Sequence, residues 1–280
     1  VRNDQRKLFN LAEGLPIGVS VKGLRISWND DIDNIDLQVS IDGIGVSLEI
    51  PGVLSFDAEV ASFSDAQGDK GFQGSAKITL ESLELSIDAN LIIGRSPAGE
   101  TFFYFELEVD LPAGIPLFNT GAAFFGFQGL IAHGMAPNRQ AGQDWYWDWY
   151  RKAPIGATDV SKWGVTPGAF ALGLGTTIGT VSDNGFTTSD KVLFILSLPG
   201  PVLMLNGKGK FLAQRASSGG TDEGDYDALL VLDIPQKLFQ TNLAVDFNEH
   251  DLLKLSGGAD IAFSWSHTPP RKVWHVYLGE

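Results

Sequence analysis

The chain has 280 residues, 44% hydrophobic and 19% charged, which is enough apolar surface to bury a core and places it outside the disordered class. Its formal charge of −14 repels phosphate backbones and anionic membrane surfaces, so nucleic acid is not an expected partner. It has no cysteine, which excludes disulfides, thiolate metal sites and a Cys nucleophile.

The chain opens on polar residues (Val1, Arg2, Asn3, Asp4) that do not form a signal peptide, and no window of about 18 apolar residues predicts a transmembrane helix. It lacks an initial Met and stops directly after a strand-like run, so a processed product or a segment of a longer polypeptide is the expectation. A short helix is expected over residues 4–12. Period-two runs then begin, the strand signal: Ile17, Val19, Val21; after Gly23, Leu24, Ile26, Trp28; then Ile35, Leu37, Val39, Ile41. Gly43 shifts the phase to Ile44, Val46, Leu48, Ile50, and the slips at Gly23 and Gly43 predict bulges or tight turns. Pro51-Gly52 marks a turn before Leu54, Phe56, Ala58 and Val60. A polar loop is expected over 62–71. Ala76, Ile78 and Leu80 follow, then, after one more slip, Leu83, Leu85, Ile87, Ala89 and Leu91. Phe103, Phe105, Leu107, Val109 and Leu111 complete the first region. Every run carries polar residues on its other face, the pattern of an antiparallel sheet with one dry and one wet side.

Between 113 and 142 Phe118, Phe124, Phe125 and Phe127 sit among Gly114, Gly121, Gly126, Gly129 and Gly134, which suits a strand under close approach of another backbone or sheet. Residues 140–152 gather Trp145, Tyr146, Trp147, Trp149 and Tyr150. Phe170, Leu172 and Leu174 resume the alternation. The continuous apolar runs 192–198 and 202–205, split by Pro199-Gly200-Pro201, predict strands buried on both faces or lining a sheet covered by another layer. Strands are expected over 228–234, 243–247, 259–265 and 273–278, and helical turns near 236–240 and 248–253. The fold class is therefore all-β: a large antiparallel meander or layered, curved sheets, as a sandwich or an open groove, with minimal helix. The domain reading is an N-terminal β region over 1–112, a Gly- and aromatic-rich excursion over 113–155 and a C-terminal β region over 156–280, which can equally be one domain. There is no fixed-period repeat.

Chemistry-bearing motifs are sparse. His133, His250, His267 and His275 match no metal spacing, and there is no Gly-x-Ser-x-Gly elbow. Catalytic residues are accordingly not assigned. Two acidic loops, Asp30/Asp31/Asp33 and Asp222/Glu223/Asp225/Asp227, have the oxygen ligands that Ca²⁺ takes but not the full EF-hand spacing; solvated surface loops are the favoured reading, Asp222, Asp225 and Asp227 are the metal candidates, and Asp65 with Asp69 is a third, weaker place. No other cofactor is expected. If extended, residues 144–150 place Trp145, Trp147 and Trp149 on one face. Beside Asp144 and Asp148 such a row can stack on sugar rings, and the two carboxylates can carry glycosidase chemistry. The competing reading is a plug burying its rings at the open end of a sheet.

Trp163-Gly164, the run Phe170 to Gly175, Asp183-Asn184-Gly185-Phe186, Leu198-Pro199-Gly200-Pro201-Val202 and Gly207 resemble an uncharacterised family of large bacterial and fungal β-rich proteins, a domain of unknown function. The resemblance covers about residues 118–280 and implies a longer parent chain but no activity and no site residues.

The leading functional reading is a non-enzymatic structural, assembly or binding module whose partners are other protein chains or the rest of its own parent chain. The alternatives are an apolar-ligand (lipid) carrier with an open β groove, and a carbohydrate-binding or glycoside-hydrolysing protein. An outer-membrane barrel ranks last: its alternation and aromatics fit, but aromatic girdles are not clear and Asp and Glu recur on the wet face. An extracellular or cell-surface place is favoured over the cytoplasm.

Overall fold

The structure, a computed structural model, describes residues 7–10, 17–28, 37–65, 67–137, 163–215, 224–249, 253–265 and 274–279. The strands are β1 (Lys7–Asn10), β2 (Ile17–Lys22), β3 (Arg25–Trp28), β4 (Leu37–Ser40), β5 (Gly43–Ile50), β6 (Leu54–Ser64), β7 (Lys70–Leu80), β8 (Leu85–Arg95) and β9 (Thr101–Pro116). They continue as β10 (Ala122–Pro137), β11 (Trp163–Thr180), β12 (Thr188–Leu198), β13 (Val202–Phe211), β14 (Tyr226–Asp233), β15 (Leu238–Glu249), β16 (Leu253–Ser264) and β17 (Trp274–Gly279). All but β3 and β4 form one 15-stranded sheet in which every pairing is antiparallel and, apart from β2 with β5, joins neighbours in the chain. β3 and β4 pair with each other as a separate ribbon. The all-β antiparallel expectation holds. The sheet is not closed into a barrel: β1 and β17 are its two edges.

Antiparallel pairing fixes which residues share a face. Three successive rows on one face run from β2 to β17 without a charged residue, and the middle one contains Val46, Leu107, Leu174, Phe194, Ile261 and Val276. The opposite face carries the polar residues, among them Asp57, Lys77, Asp88, Glu108, Gln128, Asn206 and Asp260.

The sheet bends sharply in its middle. Residues of β9 and β11, and of β10 and β12, approach within 8 Å across the strand between them, where flat strands would stand about 10 Å apart. The bend is toward the polar face. On that side Lys191 of β12 reaches Glu108 of β9, and Arg215, beyond β13, donates to the Leu111 carbonyl of β9 at 3.0 Å and lies 4.2 Å from the Phe125 ring centre. One end of the bend's interior is filled with apolar side chains, including Phe102, Tyr104, Met135, Trp163, Ile195 and Val231. Phe63 of β6 and Phe102 of β9 meet at 6.3 Å over Gly71 and Gly94. Glycine is required there, since a Cβ on Gly94 would lie 2.5 Å from the Phe102 ring. Gly71 and Gly94 thus let two rings lie across the backbone of the strands between them.

Several local expectations change. Lys7–Asn10, inside the expected helix 4–12, is strand β1, paired residue for residue with β2. Residues 236–240 form a turn and the start of β15, and Asn248, Glu249 and Leu253 are strand. Helices this short are marginal, whereas a sheet partner satisfies each backbone group at once. The polar loop 62–71 shrinks, because Ser62, Phe63 and Ser64 extend β6 and Lys70 and Gly71 open β7. The remaining turn is built by the Asp65 carboxylate, which accepts from the Gln67 and Asp69 amides at 3.0 and 2.8 Å. Runs 192–198 and 202–205 are buried on one face only: Leu193, Ile195, Val202 and Met204 point into the bend, while Phe194, Leu198 and Leu205 are exposed. Gly23 turns the chain out of β2 with φ +62°, where the Asp42 carboxylate fills the space of a Cβ; Gly43 simply opens β5.

Candidate functional site: an uncovered apolar face over a polar interior

The polar face should be the wet one, yet in the middle of the sheet it is the better buried. Asp88 is 2% exposed, Glu108 5% and Gln128 6%, while on the other face Leu174 is 62% exposed and Phe72 57%. Curvature explains the inversion: bending toward the polar face crowds its side chains together and spreads the apolar ones apart. A single layer cannot cover its own apolar side.

Buried polar groups need partners. The Tyr104 hydroxyl donates to Glu106 Oε2 at 2.8 Å, and the Gln128 amide donates to Glu106 Oε1 at 2.6 Å. Burial, reinforced by the Glu106 charge, pushes the Tyr104 phenol well above its usual value, so it stays a donor. Glu108 is paired with Lys191, and Asp88 stands 3.7 Å from Lys77 Nζ. Asp260 of β16 accepts from Asn242 at 3.0 Å and Gln240 at 3.2 Å and lies 2.6 Å from His275 Nε2 of β17. Partial burial pushes the Asp260 carboxyl up, but the hydrogen bonds from Asn242, His275 and Gln240 outweigh it and leave it below the usual value. Toward β2, where the sheet opens, Ser20, Gly45, Ser47, Glu59 and Lys77 line a shallow groove of about 310 Å³.

Trp145, Trp147, Trp149, Asp144, Asp148 and Asp222 lie outside the described residues. Asp225 accepts the Phe211 amide at 2.6 Å and so ties the end of β13 to the start of β14, and Asp227 faces Lys208 across that pair. Among the described residues no group of three or more His, Asp or Glu side chains could hold a metal ion, and no helix is long and apolar enough to cross a membrane. His133 stacks on Phe103, 5.9 Å between ring centres.

The interior network of Tyr104, Glu106, Glu108, Gln128 and Lys191 was not singled out from sequence. Its members occupy ordinary alternate positions of a strand, and nothing in the spacing separates a solvated Glu from one enclosed by a bend. The exposed apolar face is legible in the sequence as a face, and as an uncovered one only under the carrier alternative; that it lies on the outside of the bend is not. Compared with known proteins, the chain matches no protein family, no curated protein and no solved structure.

Proposed function

We propose that this chain is a non-enzymatic β module that works as a wall, its apolar face binding a covering apolar layer and its polar face lining the inner side of the bend. The observation that carries this reading is the set of three charge-free rows crossing the sheet from β2 to β17 on the exposed side. Apolar patches beyond a few hundred Å² on a protein surface mark binding or assembly sites, and this one crosses nearly the whole sheet. The buried polar groups support the same reading, since their hydrogen bonds and ion pairs run between neighbouring or nearby strands and hold the bend.

The test places charges on the apolar face. Wild-type chain in plain buffer should self-associate by light scattering or bind an anilinonaphthalene dye strongly. The double variant Leu107→Lys/Leu174→Lys should lower both several-fold while its far-ultraviolet strand signal is kept. A wild-type chain that is monomeric and does not take up dye removes the proposal.

A further inference from the structure

We infer that the covering layer is lipid hydrocarbon: the apolar face is the outer surface of a bilayer-embedded β wall. The inference rests on the reading of the face as a binding surface and names its occupant. Three observations select lipid over a second protein layer.

The first is the height of the apolar band. On β9 it runs from Phe103 to Leu111 and on β8 from Leu85 to Ile93, nine residues in each case. Nine residues span about 26 Å at 3.3 Å each, the length that a membrane-crossing strand needs. On this face Lys70 and Arg95 face each other at the next same-face position beyond Phe72 and Ile93; at the other rim the band is shorter on β12, where Asp190 follows Val192 and leaves the seven residues 192–198.

The second is curvature. The apolar face lies on the outside of the bend, so two copies set face to face would touch along a narrow strip and leave most of the apolar surface wet. Acyl chains are liquid and follow a convex wall. The third is the inversion of polarity. Asp88, Glu106, Glu108, Gln128 and Asn206 are buried inside while Leu, Phe, Ile and Val face out, the arrangement of a wall between hydrocarbon and a polar interior. Asp and Glu on the alternate positions, which weigh against a membrane barrel when read as a wet outer face, lie on the inner side of this bend. Hydrocarbon offers no hydrogen-bond partner to an unpaired backbone group, so the edges β1 and β17 require further strands in the membrane, from the same polypeptide or another copy. The acidic charge favours zwitterionic over anionic lipid.

The experiment dilutes urea-unfolded chain into dilauroyl-phosphatidylcholine vesicles and separates them by flotation. Wild type should float with a strand-rich spectrum. Leu107→Arg/Leu174→Arg, with charges at mid-band, should lose at least about 30-fold in partitioning, whereas Thr79→Arg on the polar face should float like wild type. Flotation of the mid-band variant equal to wild type overturns the inference, as does wild type remaining in the aqueous fraction. In the latter case light scattering separates the two readings. An oligomer dispersed by the mid-band variant keeps the binding face and assigns it to protein, while a dye-negative monomer removes both.

Discussion

Gly94 and Gly129 sit one strand apart from β9 on opposite sides and meet opposite surroundings. A Cβ on Gly94 would lie 2.5 Å from both the Lys70 carbonyl and the Phe102 ring, while nothing lies within 4 Å of one on Gly129. Gly94→Ala should therefore cost about 1–3 kcal/mol by overpacking, and Gly129→Ala, open to the outside, should fall within about 0.5 kcal/mol of wild type; urea midpoints decide. Asp260 gives a pH signature. Its carboxyl titrates below the usual value when folded, so its contribution is present above about pH 4 and is lost as pH falls through the depressed pKa. The urea-midpoint gap between wild type and Asp260→Asn should be open at pH 5 and close as the buffer is taken below about pH 4. A gap that stays open or widens below about pH 4 refutes this assignment.

At the scale of elements, the ion pair from β9 to β12 is the clearest tie across the bend. Glu108 is 5% exposed, so Lys191→Met leaves a buried carboxylate without its cation and should cost about 3 kcal/mol, whereas Lys191→Met/Glu108→Leu should recover most of that. Chemical denaturation of both variants checks it. The elements also show what could be read beforehand. β8, β9 and β11 were legible because strict alternation places Phe103, Phe105 and Leu107, or Leu172 and Leu174, on one side. β12 and β13 were misread as doubly buried because apolar residues occupy both faces, which erases the period; only the bend shows that Ile195 is enclosed and Phe194 is not. Glu106 and Glu108 were hidden for a related reason. Alternation says which residues share a side, not toward which side the sheet bends.

At the scale of the whole molecule, that bend decides what each face can be. It encloses Tyr104, Gln128 and Lys191 in a filled interior and turns rows read as a dry side outward to the surroundings. The enclosed part is the middle of the sheet. Toward the edges, residues such as Lys22 and Glu59, or Trp274 and Leu278, are far more accessible.

Nearly every strand is bonded to the one made just before it. Such a sheet can grow like a zipper, one hairpin at a time, each step closing only a short loop. Each added hairpin also lengthens the oily strip, so a part-made chain already presents several strands' width of it to its surroundings.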